Sequence, residues 1–192
     1  HIVTMKVPSA AYGENEISIA SVDDFALLAI TWNSQGYFSA DAGNINSQTW
    51  KKLFTKNITL AADIDLTGTG IIGLTRDNRI GNDTAYSYQG TFDGGGKTII
   101  MAAGETFGLR GESAASGEGS GQLYSYCNDS NCHTDIGLFA QAGGSIKDLV
   151  IKGNITFSTY GGWGNAGGIA GRTCGTSVSV QNVRAEETIT LM

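Results

Sequence analysis

One phrase occurs twice near the C-terminus of this chain: IGLFAQAGGSIKDLVIKGNI from Ile136 and GGIAGRTCGTSVSVQNVRAEETI from Gly167. Laid together, Gly137 meets Gly168 and Leu138 meets Ile169. The run Ser145-Ile146-Lys147-Asp148-Leu149 meets Ser179-Val180-Gln181-Asn182-Val183 after a small insertion. The period is about 31 to 34 residues, and a unit that short cannot bury its own apolar face, so the phrase implies stacked units rather than an ordinary globular core.

At 192 residues the chain suits one domain or one segment of a longer array. Glycine accounts for 28 residues and proline for one, Pro8. Abundant glycine with almost no proline implies many tight corners between short strands, because glycine takes positive φ without steric cost. No strict third-position glycine exists, which excludes collagen.

The net charge of −6 and the scattered basic residues, adjacent only at Lys51-Lys52, argue against nucleic acid, whose phosphates need a clustered cationic face. No run of about eighteen apolar residues offers a membrane-spanning helix. The opening HIVTMKV lacks the charged and apolar regions of a leader, and a start at His1 suggests a processed or truncated product. Of the cysteines Cys127, Cys132 and Cys174, the first two lie in the polar segment YCNDSNCH. A short disulfide between them is expected in an exported protein and would contribute about 2 kcal/mol. A metal reading would add His133 but lacks a fourth ligand nearby, so no metal and no cofactor is expected. Cys174 reads as a small buried apolar residue, with an intermolecular bridge as the sharper alternative.

Along the chain, Ile2 to Val7 alternates like a strand that Pro8 ends, able to pair internally or to be donated to another copy. Ser21 as cap and the carboxylates of Asp23 and Asp24 predict one substantial helix over Val22 to Ser34, with Leu27, Leu28, Ile30 and Trp32 covering a neighbouring sheet. Tyr37 to Ser47 is loop-like. NITLAADIDL from Asn57 has apolar residues at even spacing, and GTFDGGGKTII from Gly90 reads as strand, glycine turn and strand. Gly104 to Ser120 is a polar loop of small residues, of the kind that carries binding.

The helix followed by ITLAADIDL, then GTFDGGGKTI, then the paired IGLFAQ-GGSIKDLVIKG and GGIAGR-SVQNV units resemble bacterial GLUG-motif adhesin-like surface proteins. Those typically run DIDL, GTFDGNGKTI, GLFG-GGTIKNLTV and GGIAG. The resemblance spans about Ile17 to Ile189. It departs at Gly95, where the pattern has Asn, and at Ala140, where it has Gly. It implies an all-β, right-handed parallel β-helix (β-solenoid) with one N-terminal capping helix, placed at an exported bacterial surface. The corresponding organisation is a single β-solenoid domain over 1–192: an N-terminal strand or arm at 1–16, the capping helix region at 17–35, and coils at 50–192 with a loop insertion at about 104–135. The motif brings no catalytic residues. Ile146, Leu149 and Ile151 would point into the core, and Asp63, Asp65 and Asp93 would accept backbone N–H bonds in turns.

An enzyme reading, a polysaccharide lyase or glycoside hydrolase, would draw on Asp63, Asp65 and Asp93 with Arg76, Arg79 or Lys97, since such chemistry needs paired carboxylates or an acidic cluster with a base. The turn roles account for those carboxylates equally well. No GxSxG elbow occurs, and Gly94 to Gly96 lacks P-loop spacing. The threonines, among them Thr59, Thr156, Thr188 and Thr190, show no fixed coil spacing of the kind an ice-binding face needs. Sequons at Asn57, Asn82, Asn128 and Asn154 are glycosylation acceptors in a glycosylating source. Tyr86, Tyr88, Tyr124, Tyr126, Tyr160 and Trp163 fall in polar, glycine-rich stretches, where rings either contact a ligand or cover structural edges.

The expectation is an extracellular or cell-surface structural or adhesion protein, not an enzyme, that binds a glycan or surface protein or builds a filament from copies of itself through strand 2–7.

Overall fold

A computed structural model describes residues 16–34, 55–69, 71, 73–74, 87–101, 106–109, 133–159, 163–174 and 177–191. In chain order they form β1 (Glu16–Ile19), α1 (Val22–Ser34), β2 (Asn57–Leu60), β3 (Ile64–Asp65), β4 (Thr91–Ile100), β5 (Thr106–Leu109), β6 (His133–Ile136), β7 (Phe139–Ala142), β8 (Ser145–Thr159), β9 (Trp163–Ala166), β10 (Ala170–Thr173) and β11 (Ser179–Leu191). The strand expected at Ile2 to Val7 and the loop at Tyr37 to Ser47 lie outside the described residues.

A seven-stranded sheet carries most of the structure. Its path runs β1-β2-β4-β8-β11, with β3 beside β4 and β5 beside β8. Every pairing is parallel. The two copies of the repeated phrase lie side by side here, Ser179 opposite Ser145 and Val183 opposite Leu149. Their glycine ends meet in a second sheet, where Leu138 and Phe139 donate N–H bonds to the carbonyls of Gly168 and Ile169. The second sheet contains β7 and β10, and a third contains β6 and β9.

Identical register stacks like on like. One row across the large sheet reads Ile17, Ile58, Phe92, Ile146 and Val180. Another reads Ile64, Ile99, Ile151 and Ala185. Ile58, Phe92, Ile146, Ile64, Ile99 and Ile151 are fully buried, and with Phe139, Tyr88 and Leu138 they form the core. Apolar residues thus face inward at every second position, as strands require, while Thr59 and Asp65 stay exposed.

The triple glycine marks a bend rather than a break. Asp93 sits opposite Lys147 and Lys97 opposite Leu149, so Gly94 to Gly96 are set against the single residue Asp148. Gly95 and Gly96 have φ of 57° and 73°, and the equivalent corners of β8 and β11 place Asp148 and Asn182 at 52° and 51°. Asp and Asn are among the few non-glycine residues that enter this left-handed region at low cost.

The helix begins where its cap predicts. Ser21 Oγ accepts the Asp24 N–H at 3.1 Å, and Asp24 Oδ2 accepts the Ala20 N–H at 3.0 Å. Phe25, Leu28 and Ala29 supply the buried face, spaced for one side of a helix, and α1 packs beside β1 and β3. Leu27 is only half-buried, and the side chains of Ile30 and Trp32 lie outside the described residues.

The expected right-handed parallel β-helix is overturned: the described residues form a mostly parallel sheet structure with one helix. A solenoid requires each turn to lay a strand in every face. Among the described residues only the large sheet extends beyond two strands, and Leu74 and Tyr88 reach β7 merely as isolated bridges to Phe139 and Ala142. The physical reason is that stacking follows the recurring phrase. The phrase occurs twice, so its first half supplies only the pair β7 and β10 to the second sheet, while its second half, β8 and β11, joins strands β1 to β5 that lie outside it. Strand β5 lies within 104–135 and β6 begins in it, where the sequence shows only a polar insertion.

Candidate functional site

The carboxylates named as candidates for sugar chemistry are held by the backbone. Asp63 Oδ1 accepts the Thr98 N–H at 2.7 Å, tying β4 to the residue just before β3. Asp65 Oδ1 accepts the Thr67 N–H at 2.9 Å, and hydrogen bonds from Thr67 hold its carboxyl below the usual range. Asp93 Oδ1 accepts the Gly95 N–H at 2.9 Å across the glycine bend. Its Oδ2 meets Lys147 Nζ at 2.8 Å. Lys147, and then the Gly95 N–H, pull the Asp93 carboxyl down, while Asp93 pushes the Lys147 ammonium up. Lys97 is half-buried on β4, and Arg76 and Arg79 lie outside the described residues.

These side chains form a polar row along the corner of the large sheet. Lys147 Nζ lies 4.0 Å from Asp148 Oδ2 as well, and Asn182 Nδ2 donates to Asp148 Oδ1 at 2.7 Å. All are partly exposed, and surface pairs of this kind contribute little to stability. Their arrangement explains corner geometry better than it explains catalysis. Among the described residues, no group of three or more His, Cys, Asp or Glu could hold a metal ion.

Of the aromatic residues named as ligand contacts, Tyr88 is fully buried. Its ring stacks on Phe139 with centroids 4.7 Å apart, and its hydroxyl donates to the Lys56 carbonyl at 3.0 Å. Burial drives the phenol far above its ordinary pKa. Tyr88 is therefore a core residue: its hydroxyl has a backbone acceptor, which lets a large amphipathic ring be buried. Trp163 opens β9 opposite His133, in a strand rather than a loop. Tyr86, Tyr124, Tyr126 and Tyr160 lie outside the described residues, as do Cys127, Cys132, Asn82 and Asn128. Asn57 is exposed, its Oδ1 accepting the Thr91 N–H at 3.0 Å, and Asn154 is exposed within β8. Cys174 is buried, its Sγ 3.6 Å from Gln141 Oε1, the small interior residue that the sequence suggests.

The feature that stands out is the last strand. Among the described residues β11 ends the path of the large sheet and pairs only with β8. Val180 continues a row that is sealed elsewhere, yet it is 49% exposed against 0% for Ile146 and Phe92, and Ile189 farther along the strand is 39% exposed. On its other face Glu186 joins Lys152 at 3.2 Å and Arg184 at 2.7 Å. An edge that no described strand pairs, beside exposed apolar side chains, is a template for a further strand. Sequence reasoning did not single out β11 as an edge, because the aligned phrases show which residues pair but not where a strand stands at the end of a sheet.

Glu187 lies on this strand opposite Gly153. Both carboxylate oxygens are buried without a hydrogen-bond partner, and burial pushes the group up to about 7. Extending the aligned register by five residues from Asn182 would have flagged it, since Val183, Ala185 and Glu187 share the inward parity.

No family model, no curated protein and no solved structure matches the chain. No helix among the described residues is long and apolar enough to cross a membrane.

Proposed function

We propose that this chain is a structural or adhesion module of an exported surface that acts by binding or self-assembly through the open edge of its large sheet. The observation that carries the reading is β11: a 13-residue strand with one strand neighbour among the described residues and with Val180 and Ile189 exposed. An added parallel strand would satisfy its backbone groups and complete the apolar rows, which is the physics of strand addition. The candidate carboxylates support a non-catalytic reading, because each holds a backbone N–H where the chain turns or changes strand. The resemblance to GLUG-motif surface proteins points the same way. The alternating segment Ile2 to Val7 is the donor strand that the sequence offers to another copy.

Sedimentation velocity over a range of concentrations, with negative-stain electron microscopy, tests this. The expected result is concentration-dependent polymers that are lost on deleting residues 1–8 and weakened about tenfold or more by the pair Val180→Lys and Ile189→Lys. A chain that stays monomeric throughout refutes self-assembly, and polymers unchanged by both alterations refute the edge as its route.

A further inference from the structure

Glu187 occupies a place built without polar complement. Gly153 faces it across the β8–β11 pairing, and a Cβ added at Gly168 would run into its Oε2. Gly168 therefore leaves the room that the carboxyl fills. Neither oxygen has a hydrogen-bond partner, although the strand is only one residue from a well-paired acid, Glu186. The charged groups on the packed elements are engaged elsewhere. Lys152 of β8 reaches Glu186, as does Arg184 of β11 itself. Arg172 of β10 is half-buried with an interaction of its own, and neither it nor any other charge contributes to the shift of Glu187, whose cause is burial alone. A carboxylate in such surroundings bears a desolvation cost that the neutral acid does not.

We infer that Glu187 is a proton-operated latch on the C-terminal half of β11: protonated, it seats between Gly153 and Gly168 and holds the strand on β8, and on ionising it draws that half of the strand toward water. The proton is exchanged with solvent and no covalent bond changes. The sign follows from linkage. The folded group titrates near 7 against an ordinary 4.5. Its neutral form is thus favoured by the fold, and the contribution is complete below about 4.5, declines as pH rises, and is spent above about 7. Because the side chain is only partly shielded, solvent reduces the full effect. The latch is independent of whether the edge recruits a partner.

Amide hydrogen exchange of residues 185–191, corrected for the intrinsic rise of exchange with pH and referred to β4, reads the latch directly. Protection in β11 is expected to fall about tenfold between about pH 4.5 and about pH 7 and to level off above that, and to stay flat in Glu187→Gln, whose amide mimics the neutral acid. A flat profile in the unaltered chain, or the same decline in Glu187→Gln, would overturn the inference. Should that variant not fold, carboxyl-carbon NMR of the unaltered chain decides. Titration of Glu187 near 7 together with the β11 decline supports the latch, and titration near 4.5 removes it.

Discussion

The large sheet has two ends made from the same kind of strand and finished in different ways. At the β1 end the apolar row closes under a helix: Ile17 is half-buried, Ile19 is sealed, and Phe25, Leu28 and Ala29 of α1 join the same core. At the β11 end no further strand follows among the described residues. Val180, in register with the fully buried Ile146 and Phe92, is half in water. Residue type does not explain the contrast, since both ends present β-branched side chains. The number of neighbours does: an inner strand is covered by strands on both sides, and an end strand needs another element to do the same. Among the described residues that element stands at the β1 end alone, so the opposite end is where a partner would gain most apolar contact.

Large-to-small substitutions break the comparison most directly. Phe25→Ala, at the covered end, is expected to lower stability in urea denaturation by about 3–5 kcal/mol, the cost of a large cavity in a sealed core. Val180→Ala, at the open end, should cost under about 1 kcal/mol, because only about half of its surface leaves water on folding. Equal losses would mean that the two ends are equally covered and that β11 is no edge.

A smaller effect sharpens the picture at the open end. Asn182 sits at φ 51° and donates to Asp148 Oδ1. Asn182→Val should cost about 1–2 kcal/mol, since a β-branched residue is strained in the left-handed region. Asn182→Gly keeps the backbone and loses only an exposed hydrogen bond, so its midpoint should shift by about 0.5 kcal/mol or less. If the two variants behave alike in denaturant, the corner conformation is not what the residue provides.

How far these features are legible in the sequence differs by kind. Helix α1 was legible to the residue because a serine cap, two acidic residues and an apolar face coincide at its start. The pairing of Ser145–Leu149 with Ser179–Val183 was legible because alignment of a repeat is, for parallel strands, alignment of hydrogen-bond partners. The short strands β1, β5, β6 and β9 were not, since four residues carry too little periodicity to separate strand from loop. The overall class was misjudged for a related reason: the phrases report which strands stack in one sheet but say nothing about whether the intervening residues build other faces of matching depth. Tyr88 and Glu187 fail differently. In sequence each is a polar residue in polar company, and their burial depends on Phe139 and on Gly168, which are far away along the chain.

The mildest test concerns the cover of the β1 end. Ser21 Oγ satisfies the Asp24 N–H, one of the donors that the first turn of a helix leaves over, and Asp24 returns a carboxylate to the Ala20 N–H. Ser21→Ala removes the first of these and leaves the second, at a cost of about 1 kcal/mol. If α1 is what seals this end, the loss should not stay within the helix. Exchange of the β1 amides over Glu16–Ile19 should quicken with that of the first turn, because Ile19 shares its core with Phe25. Faster exchange in the helix alone, with β1 unchanged, would mean that the strand is held by β2 without help from the helix. The difference between the two ends would then lie in strand pairing and not in cover.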